Sequence, residues 1–324
     1  MKTTRIVVKE QGAPEVMQLE DIELAAPAAG EVQVAQTAIG LNYMDIYQRS
    51  GAYGLDLPSP LGLEAAGTVQ AVGDGVDGFA IGDRVAYGPV LGAYAAHRNV
   101  PAARMVKIPD GISDEVAAAV LMKGTTVEYL LNRTRQIKAG DDVLFWAASG
   151  GVGQLAGQWG AHLGARMIGV TSGADNCAAI KKLGYAEAID RNSEDIAARV
   201  ADLTGGNGVP VVYDSIGAAS FDASIKSLGR YGMFVSYGAT TGEAPAVSPG
   251  LLQHSGSLYF TRPTLADYIK DRIDLEHAAS EVFRLVGEGV LSVNINQRYA
   301  LSDVAKAHHD LAAGTTTGST VIVP

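Results

Sequence analysis

A short run of small residues offers backbone amides for binding. Residues 147–153 read Ala-Ala-Ser-Gly-Gly-Val-Gly and directly follow an apolar run at 143–146. Apolar side chains then recur at steps of three and four from Val152 to Leu163, which is typical of a helix. A helix start has unpaired N–H groups and a positive dipole end, which attract phosphates. The pattern predicts a pyrophosphate site for a nicotinamide or flavin dinucleotide, formed by Ser149, Gly150, Gly151 and Val152.

The spacing departs from the usual three-glycine fingerprint, because Ala148 stands where the first glycine is expected. In isolation such a match fits equally well a tight turn in an ordinary α/β domain. The surrounding pattern favours the binding interpretation.

Strands and helices alternate around this run. The sequence predicts strands at 143–146, 167–171, 188–190, 211–213, 233–236 and 258–260, with helices at 152–163, 174–183 and 196–203. Repeated strand and helix units with short connections imply a parallel sheet covered on both faces. The predicted fold class is therefore α/β, with a doubly wound parallel sheet.

The N-terminal third has a different character. Extended runs at 5–8, 32–38 and 68–72 are separated by glycine-rich turns, and no comparable helical periodicity precedes Asp114. This pattern predicts a partly antiparallel β-domain. The tail adds a helix-like stretch at 304–311 and a strand at 320–323, which we expect to pack on the β-domain. A length of 324 residues fits two domains.

The composition narrows the setting. Apolar residues make up 47%, yet no uninterrupted apolar span is long enough for an ordinary membrane helix. The single cysteine, Cys177, and the lack of a signal-like N-terminus predict a cytoplasmic protein without an internal disulfide. A net charge of −10 opposes general attraction to nucleic acids or anionic membranes.

Several segments together resemble a known family. They are 42–51 (Asn-Tyr-Met-Asp-Ile-Tyr-Gln-Arg-Ser-Gly), 62–69 (Gly-Leu-Glu-Ala-Ala-Gly-Thr-Val), 82–85, the glycine turn, 213–217 and 261–263. The chain resembles the zinc-independent quinone oxidoreductases of the medium-chain dehydrogenase/reductase superfamily, which include the ζ-crystallins. The resemblance implies a GroES-like catalytic domain at 1–124, completed by 265–324, and a Rossmann domain at 125–264. It also implies NADPH in the cleft between them.

Zinc chemistry is predicted to be absent. Zinc-binding members of the superfamily carry a cysteine at the position matching Asn42 and a histidine matching Leu63, and this chain has neither. Glu64 remains from that pattern, and we interpret it as a partly buried, paired carboxylate. His308 and His309 are adjacent on a helix and point in different directions, so we interpret both as solvated or helix-terminal.

The second predicted strand of the parallel sheet bears on cofactor choice. It ends Thr171-Ser172-Gly173, with no acid to bind an NAD ribose and with two hydroxyls able to donate to a 2′-phosphate. Asp175 stands near the distance expected for an NAD-binding acid. The first turn of a helix also favours acids, and we adopt that interpretation.

Related NADPH enzymes carry a lysine at the position matching Asn176 and an arginine matching Gly314. Because this chain lacks both, Arg191 is the predicted cation for the phosphate, with a solvated surface arginine as the alternative. The family resemblance implies further cofactor contacts, each of which could instead be a packing or subunit-contact residue: Tyr129, Ser215, Tyr237, Gly238 and Arg262.

The segment from Asn42 to Tyr53 supplies the predicted catalytic groups. Hydride transfer needs orientation and exclusion of water rather than a nucleophile. We predict that Asn42 and Tyr53 donate hydrogen bonds to a quinone oxygen as charge develops, although Tyr53 could be only a pocket wall. Tyr47 is predicted to line the nicotinamide pocket. Asp45 counts among the cofactor-side residues and is interpreted as an orienting or turn-capping group.

The predicted function is NADPH-dependent reduction of quinones without metal or flavin. The alternatives are a reductase of activated carbon–carbon double bonds in enones and, by resemblance to crystallins, a non-catalytic structural or single-stranded RNA-binding protein. Residues 256–260 are predicted to form an outer strand of the parallel sheet, and the resemblance implies a homodimer through that edge.

Overall fold

Two compact units make up the chain. The computed structural model describes all 324 residues. One unit, called here the β unit, comprises Met1–Thr125 and Ile269–Pro324, and the other, the parallel unit, comprises Thr126–Tyr268. None of the helices has both the length and the apolar character needed to cross a lipid bilayer.

The β unit is built on two sheets. Its strands are β1 (Lys2–Val8), β2 (Met17–Glu23), β3 (Glu31–Gly40), β4 (Ser59–Pro60), β5 (Glu64–Val72), β6 (Arg84–Tyr87), β7 (His97–Pro101), β8 (Met105–Lys107), β15 (Ile295–Ala300) and β16 (Ser319–Val323). The small sheet has the order β2-β1-β4, and the large one runs β15-β16-β3-β5-β6-β8 with β7 on β3. Its pairs are antiparallel except β15 with β16.

Four helices accompany these strands. They are α1 (Tyr43–Ser50), α2 (Asp114–Glu128), α9 (Arg272–Gly287) and α10 (Val304–Ala312). The predicted tail is confirmed, because α10 forms and Val321 of β16 pairs with Gly40 of β3. Helix α1 forms before Asp114, in a part of the chain where the sequence shows no comparable helical periodicity. Helix α1 has only eight residues and buries Ile46 together with two polar groups, so it has no apolar stripe for a periodicity argument to detect.

The parallel unit holds one six-stranded sheet. Its strands are β9 (Asp142–Trp146), β10 (Arg166–Thr171), β11 (Tyr185–Asp190), β12 (Val209–Asp214), β13 (Leu228–Ser236) and β14 (Tyr259–Thr261). The order is β11-β10-β9-β12-β13-β14 and every pair is parallel. The predicted α/β class with a doubly wound sheet is confirmed.

The helices of the parallel unit follow the predicted alternation. They are α3 (Gly151–His162), α4 (Ala174–Lys181), α5 (Ile196–Leu203), α6 (Phe221–Ser227), α7 (Pro249–His254) and α8 (Leu265–Tyr268), with a π-helical stretch at Tyr129–Thr134. Helix α3 packs closely on the sheet because it carries glycines. A Cβ on Gly157 would lie 2.3 Å from the Tyr185 ring, and one on Gly160 would lie 2.2 Å from Met167 Sδ.

Candidate functional site

The glycine turn presents a helix start with no side chain over it. Strand β9 ends at Trp146, Ala147 turns the chain with φ +53°, and Gly150 caps α3 without a side-chain hydrogen bond. A Cβ on Gly153 would lie 2.3 Å from the Ala147 carbonyl oxygen, so only glycine permits this close approach. The first-turn N–H groups of Gly151 and Val152 lie at the positive end of a 12-residue helix. A dinucleotide pyrophosphate fits this start.

The predicted hydroxyls lie beside the turn. The Thr171 hydroxyl donates to Ser149 Oγ at 2.8 Å, which brings the end of β10 to the glycine turn. Ser172 is half-buried, and its carbonyl accepts from the Asn176 amide at 2.9 Å. The Arg191 backbone N–H donates to the Thr171 carbonyl at 2.9 Å, and its side chain is exposed. The structure therefore brings Ser149, Thr171, Ser172 and Arg191 together.

Asp190 holds this group of loops in place. Its carboxylate accepts from the backbone N–H groups of Gly173 at 2.8 Å and Asn192 at 3.0 Å. These bonds lower the pKa of Asp190 below its ordinary range. Asp175 lies in the first turn of α4 and is exposed, so its predicted helix-start position is confirmed.

Ser215, Tyr237 and Gly238 meet at the neighbouring strand ends. The Tyr237 N–H donates to the Asp214 carbonyl at 2.8 Å, and a Cβ on Gly238 would lie 2.7 Å from the Ser215 carbonyl oxygen. The Tyr237 ring lies 5.7 Å from that of Phe145. These residues follow β12 and β13, at the carboxyl edge of the sheet where ligands of open α/β sheets bind.

Tyr129 and Arg262 form a separate pair of predicted contacts within the parallel unit. The buried Tyr129 ring stacks on Tyr268, with centroids 4.4 Å apart and planes 15° apart. Arg262 donates to the Ser236 carbonyl at 2.9 Å. Burial raises the pKa of Tyr129, and the Arg262 charge opposes that shift. Arg262 is therefore fixed at the end of β13 with Tyr129 within its electrostatic reach.

In the β unit, Asn42 is held at two points. Its side-chain amide donates to Glu64 Oε2 at 2.9 Å, and its backbone N–H donates to Asp45 Oδ2 at 2.9 Å. Glu64 is fully buried, accepts from the Met122 N–H at 2.6 Å, and forms an ion pair with Lys123 at 3.5 Å. The predicted pairing of Glu64 is confirmed, with complete rather than partial burial.

Asp45 belongs to a buried chain of hydrogen bonds. The Tyr94 hydroxyl donates to Asp45 Oδ2 at 2.8 Å and lies 2.9 Å from His308 Nε2. All three residues have no exposed surface. The expectation of a solvated or helix-terminal His308 was wrong, because α10 turns that face onto the β-unit core, whereas the His309 side chain is 72% exposed. Burial raises the pKa of Asp45 to about 7 and lowers that of His308 to about 3.

Three tyrosines cluster on and after α1. The Tyr47 ring lies 5.1 Å from Tyr43 and 5.2 Å from Tyr53. The Tyr53 N–H donates to the Tyr47 carbonyl at 3.0 Å, and Gln11 donates to the Tyr53 carbonyl at 2.8 Å. Tyr47 and Tyr53, for which the sequence predicts separate roles, are therefore in ring contact.

The Asn42 region does not fit a zinc ion. An amide nitrogen already bound to Glu64, a buried Leu63 and a carboxylate with three partners give no tetrahedral donor set. No group of three or more histidine, cysteine, aspartate or glutamate side chains in the structure could hold a metal ion.

Two units of this kind, one with a GroES-like β fold and one with a dinucleotide-type parallel sheet, define the medium-chain dehydrogenase/reductase class. Residues 28–110 match the alcohol dehydrogenase GroES-like domain, and residues 151–272 match the zinc-binding dehydrogenase family. The chain is 45% identical to a quinone oxidoreductase of Pseudomonas aeruginosa over 99% of both chains. A 2-haloacrylate reductase of Burkholderia is 37% identical over 98% of both.

Among solved structures, Escherichia coli quinone oxidoreductase complexed with NADPH superimposes with a TM-score of 0.97. The two chains are 43% identical, and the match covers 99% of this chain and all of that one. The chain belongs to the quinone oxidoreductase family.

Sequence reasoning missed Lys123, Tyr94 and the role of His308. Lys123 had a usable signal, because it is a charge that ends an apolar helical run at 116–122. Tyr94 had none, since a lone tyrosine in a glycine- and alanine-rich stretch indicates nothing about its partners.

Proposed function

We propose that this chain reduces quinones by transfer of hydride from NADPH. The observation that carries the proposal is the full-length likeness to quinone oxidoreductases, one of them an NADPH complex, together with an uncapped helix start and adjacent hydroxyls in this chain. The higher identity to quinone oxidoreductases than to a 2-haloacrylate reductase supports quinones over activated carbon–carbon double bonds.

Bound NADPH supplies a hydride from carbon 4 of its nicotinamide ring. The first-turn amides of Gly151 and Val152 hold the pyrophosphate. Ser149 and Gly150 form the rest of its site, with the Gly150 N–H donated to the Ala147 carbonyl at 3.0 Å. The 2′-phosphate takes hydrogen bonds from Thr171 and Ser172 and an ion pair from Arg191. The remaining cofactor contacts proposed from the family pattern are Tyr129, Ser215, Tyr237, Gly238 and Arg262 in the parallel unit, and Asn42, Asp45 and Tyr47 in the β unit.

Asn42 and Tyr53 are the proposed donors to the quinone oxygen that gains charge. The Asn42 amide gives one hydrogen to Glu64 at 2.9 Å, and its closest other acceptor, the Gly40 carbonyl, is at 3.4 Å. Its further contacts, with the Gly40 carbonyl and with Met122 Sδ at 3.8 Å, are long and weak, and we propose that a substrate oxygen replaces them. A donor aimed at a developing oxyanion contributes about 3 kcal/mol to transition-state stabilisation.

The test is steady-state turnover of the purified chain with NADPH and, in parallel, a series of benzoquinones and enones. We expect quinone reduction, with kcat about 100-fold lower in Asn42→Ala and reduced in Tyr53→Phe. Turnover of enones alone would contradict the quinone assignment.

Cofactor preference is tested separately by titration with NADPH and NADH. Arg191→Ala is expected to weaken NADPH binding and leave NADH binding unchanged, since only NADPH carries the 2′-phosphate. Equal affinities for both cofactors in the wild-type chain would overturn the phosphate assignment.

We also propose a homodimer through the outer edge of the parallel sheet. Strand β14 pairs with β13 on one side only, and Tyr259 on it is 59% exposed. Edge strands left open invite pairing with a second copy. Light scattering at micromolar concentration should give a dimer mass that Tyr259→Lys reduces, and a monomeric wild type would contradict it. The cytoplasmic location stays a prediction.

A further inference from the structure

Lys123 is a buried cation whose hydrogens are not used. Only 8% of its side chain is exposed, and Nζ donates no hydrogen bond. Its ion-pair partner is Glu64 Oε2, at 3.5 Å, which is beyond hydrogen-bonding distance for an ammonium nitrogen. Buried ammonium groups without acceptors are rare, and each one calls for an explanation.

The ion pair with Glu64 does not account for this arrangement. Glu64 directs Oε1 at the Met122 N–H (2.6 Å) and Oε2 at the Asn42 amide (2.9 Å). Both carboxylate oxygens are thus already engaged by closer donors than Lys123. The lysine compensates the charge of Glu64, and its N–H groups stay available to another acceptor.

The position of Nζ identifies that acceptor. Nζ and the Asn42 amide nitrogen lie 3.5 Å and 2.9 Å from the same Glu64 oxygen, so a ligand oxygen that accepts from Asn42 lies in the neighbourhood of the ammonium. Resting on the proposed function, we propose that Lys123 is a further catalytic residue, which binds the reduced quinone oxygen and gives it a proton.

The step balances as follows. Hydride transfer delivers two electrons and one hydrogen nucleus to the quinone and leaves a hydroquinone monoanion. One Nζ–H bond of Lys123 breaks, and the proton forms an O–H bond with the oxyanion. The lysine is left as a neutral amine and regains a proton from water. The sum is NADPH, quinone and one proton giving NADP⁺ and hydroquinone.

The first measurement needs no cofactor. 4-Nitrophenol is a monoanion analogue whose ionised form absorbs at longer wavelength, so its spectrum reports whether the site binds phenolate. Wild-type protein is expected to lower the apparent pKa of the bound phenol. Lys123→Met is expected to abolish that change, and Lys107→Met, an exposed lysine paired with Asp83, is expected to retain it. Binding of neutral phenol alone by wild type would overturn the proposal.

A second variant controls for the possibility that Lys123→Met fails to fold. Lys123→Met leaves the Glu64 charge buried without a cation, whereas Lys123→Met/Glu64→Gln removes both charges and keeps the net charge of the pair at zero. Loss of the phenolate signal in the folded double variant, with retention of the signal in Glu64→Gln alone, isolates the N–H donors of Lys123. A double variant that still binds phenolate like wild type overturns the role of Lys123.

Kinetics provide the third readout. In the double variant we expect kcat with quinone to fall about 100-fold below that of Glu64→Gln alone, with the same Kd for NADPH as Glu64→Gln. The pH profile of kcat should lose its dependence on an enzyme acid. If the wild type reduces quinones and the double variant keeps the same kcat, the role of Lys123 is wrong and the proposed function stands. If the wild type reduces no quinone, the proposed function is wrong.

Discussion

The glycine turn and the Asn42 network bind polar groups by opposite means. In the parallel unit, the proposed donors are the backbone amides of Gly151 and Val152 and short hydroxyls, with no side-chain cap on the helix start. In the β unit, Asn42 is oriented by buried charged side chains, Glu64 with Lys123 and Asp45 with its partners. A backbone site is sensitive to added atoms, and a side-chain site is sensitive to removed charges.

The largest effect is expected from Glu64→Leu. The change leaves the Lys123 ammonium buried without its counter-charge and removes the acceptors of Asn42 and Met122, so unfolding free energy should fall by about 3–5 kcal/mol. Urea denaturation measures it. The control is Glu115→Gln, which breaks an exposed pair with Arg298 and should cost less than about 1 kcal/mol. Equal losses would contradict the dependence of the Asn42 network on buried charge.

A single methyl group tests the other region. Gly153→Ala should destabilise the chain by about 1–3 kcal/mol and weaken NADPH binding at least about tenfold, because its Cβ meets the Ala147 carbonyl. Alanine in a helix interior normally stabilises, so the sign is diagnostic. In the control Gly287→Ala, at the end of α9, no atom lies within 4 Å of the new Cβ, so neither the melting temperature nor NADPH binding should fall. Thermal melting measures the stability of each variant, and titration measures its NADPH binding. A Gly153→Ala variant more stable than wild type would contradict the close approach of Gly153 to the Ala147 carbonyl.

The buried residues Asp45 and His308 should change the free energy of unfolding with pH in opposite directions, so that little net change is seen in the wild type. Asp45 moves from an ordinary pKa of 3.8 to about 7, so its contribution to stability falls as pH rises through that window. His308 moves from 6.5 to about 3, so its contribution rises from about pH 3 to 6.5. Between about pH 4 and 6.5 the two slopes cancel. Arg49, Lys123 and Glu64 are the charged groups that face the pair.

Single variants should expose each slope. We expect His308→Gln to lose about 1.4 kcal/mol of stability per pH unit as pH rises from 4 to 6.5, relative to wild type, and Asp45→Asn to gain a similar amount. Urea denaturation across this range measures the difference. Exposed His309→Gln should keep the wild-type profile, and parallel profiles for all variants would show that the pair does not titrate as described.

The smallest effect is expected from Ser149→Ala. Loss of the hydroxyl that accepts from Thr171 should weaken NADPH binding by about 0.5–1.5 kcal/mol, or up to about tenfold, because the backbone amides remain. Isothermal titration measures it. Ser193→Ala, which loses an exposed bond to Asp190, should bind normally. A loss above 100-fold would mean that side chains carry this site too.

The contrast between the glycine turn and the Asn42 network also explains which parts of the structure the sequence could predict. The parallel unit was predictable in nearly every strand because its signals are local: apolar runs, a 3.6-residue period and glycines that close helices. The hydroxyls at 171 and 172 follow directly from a strand end. In the β unit, Asn42, Glu64 and Lys123 are far apart in the chain and meet only through tertiary pairing. Helix α1 depends on an internal Asp45 cap and on polar burial, which no hydrophobic pattern records.

The strand before Asn42 depends on residues near the far end of the chain. Val321 pairs with Gly40, and the Leu41 N–H donates to the Thr320 carbonyl at 3.1 Å. The parallel unit is continuous in sequence and can complete on the ribosome while the edge of β3 still lacks this neighbour. A nascent chain should therefore acquire its nucleotide-binding half first, and mature into a reductase only after translation has passed Val321.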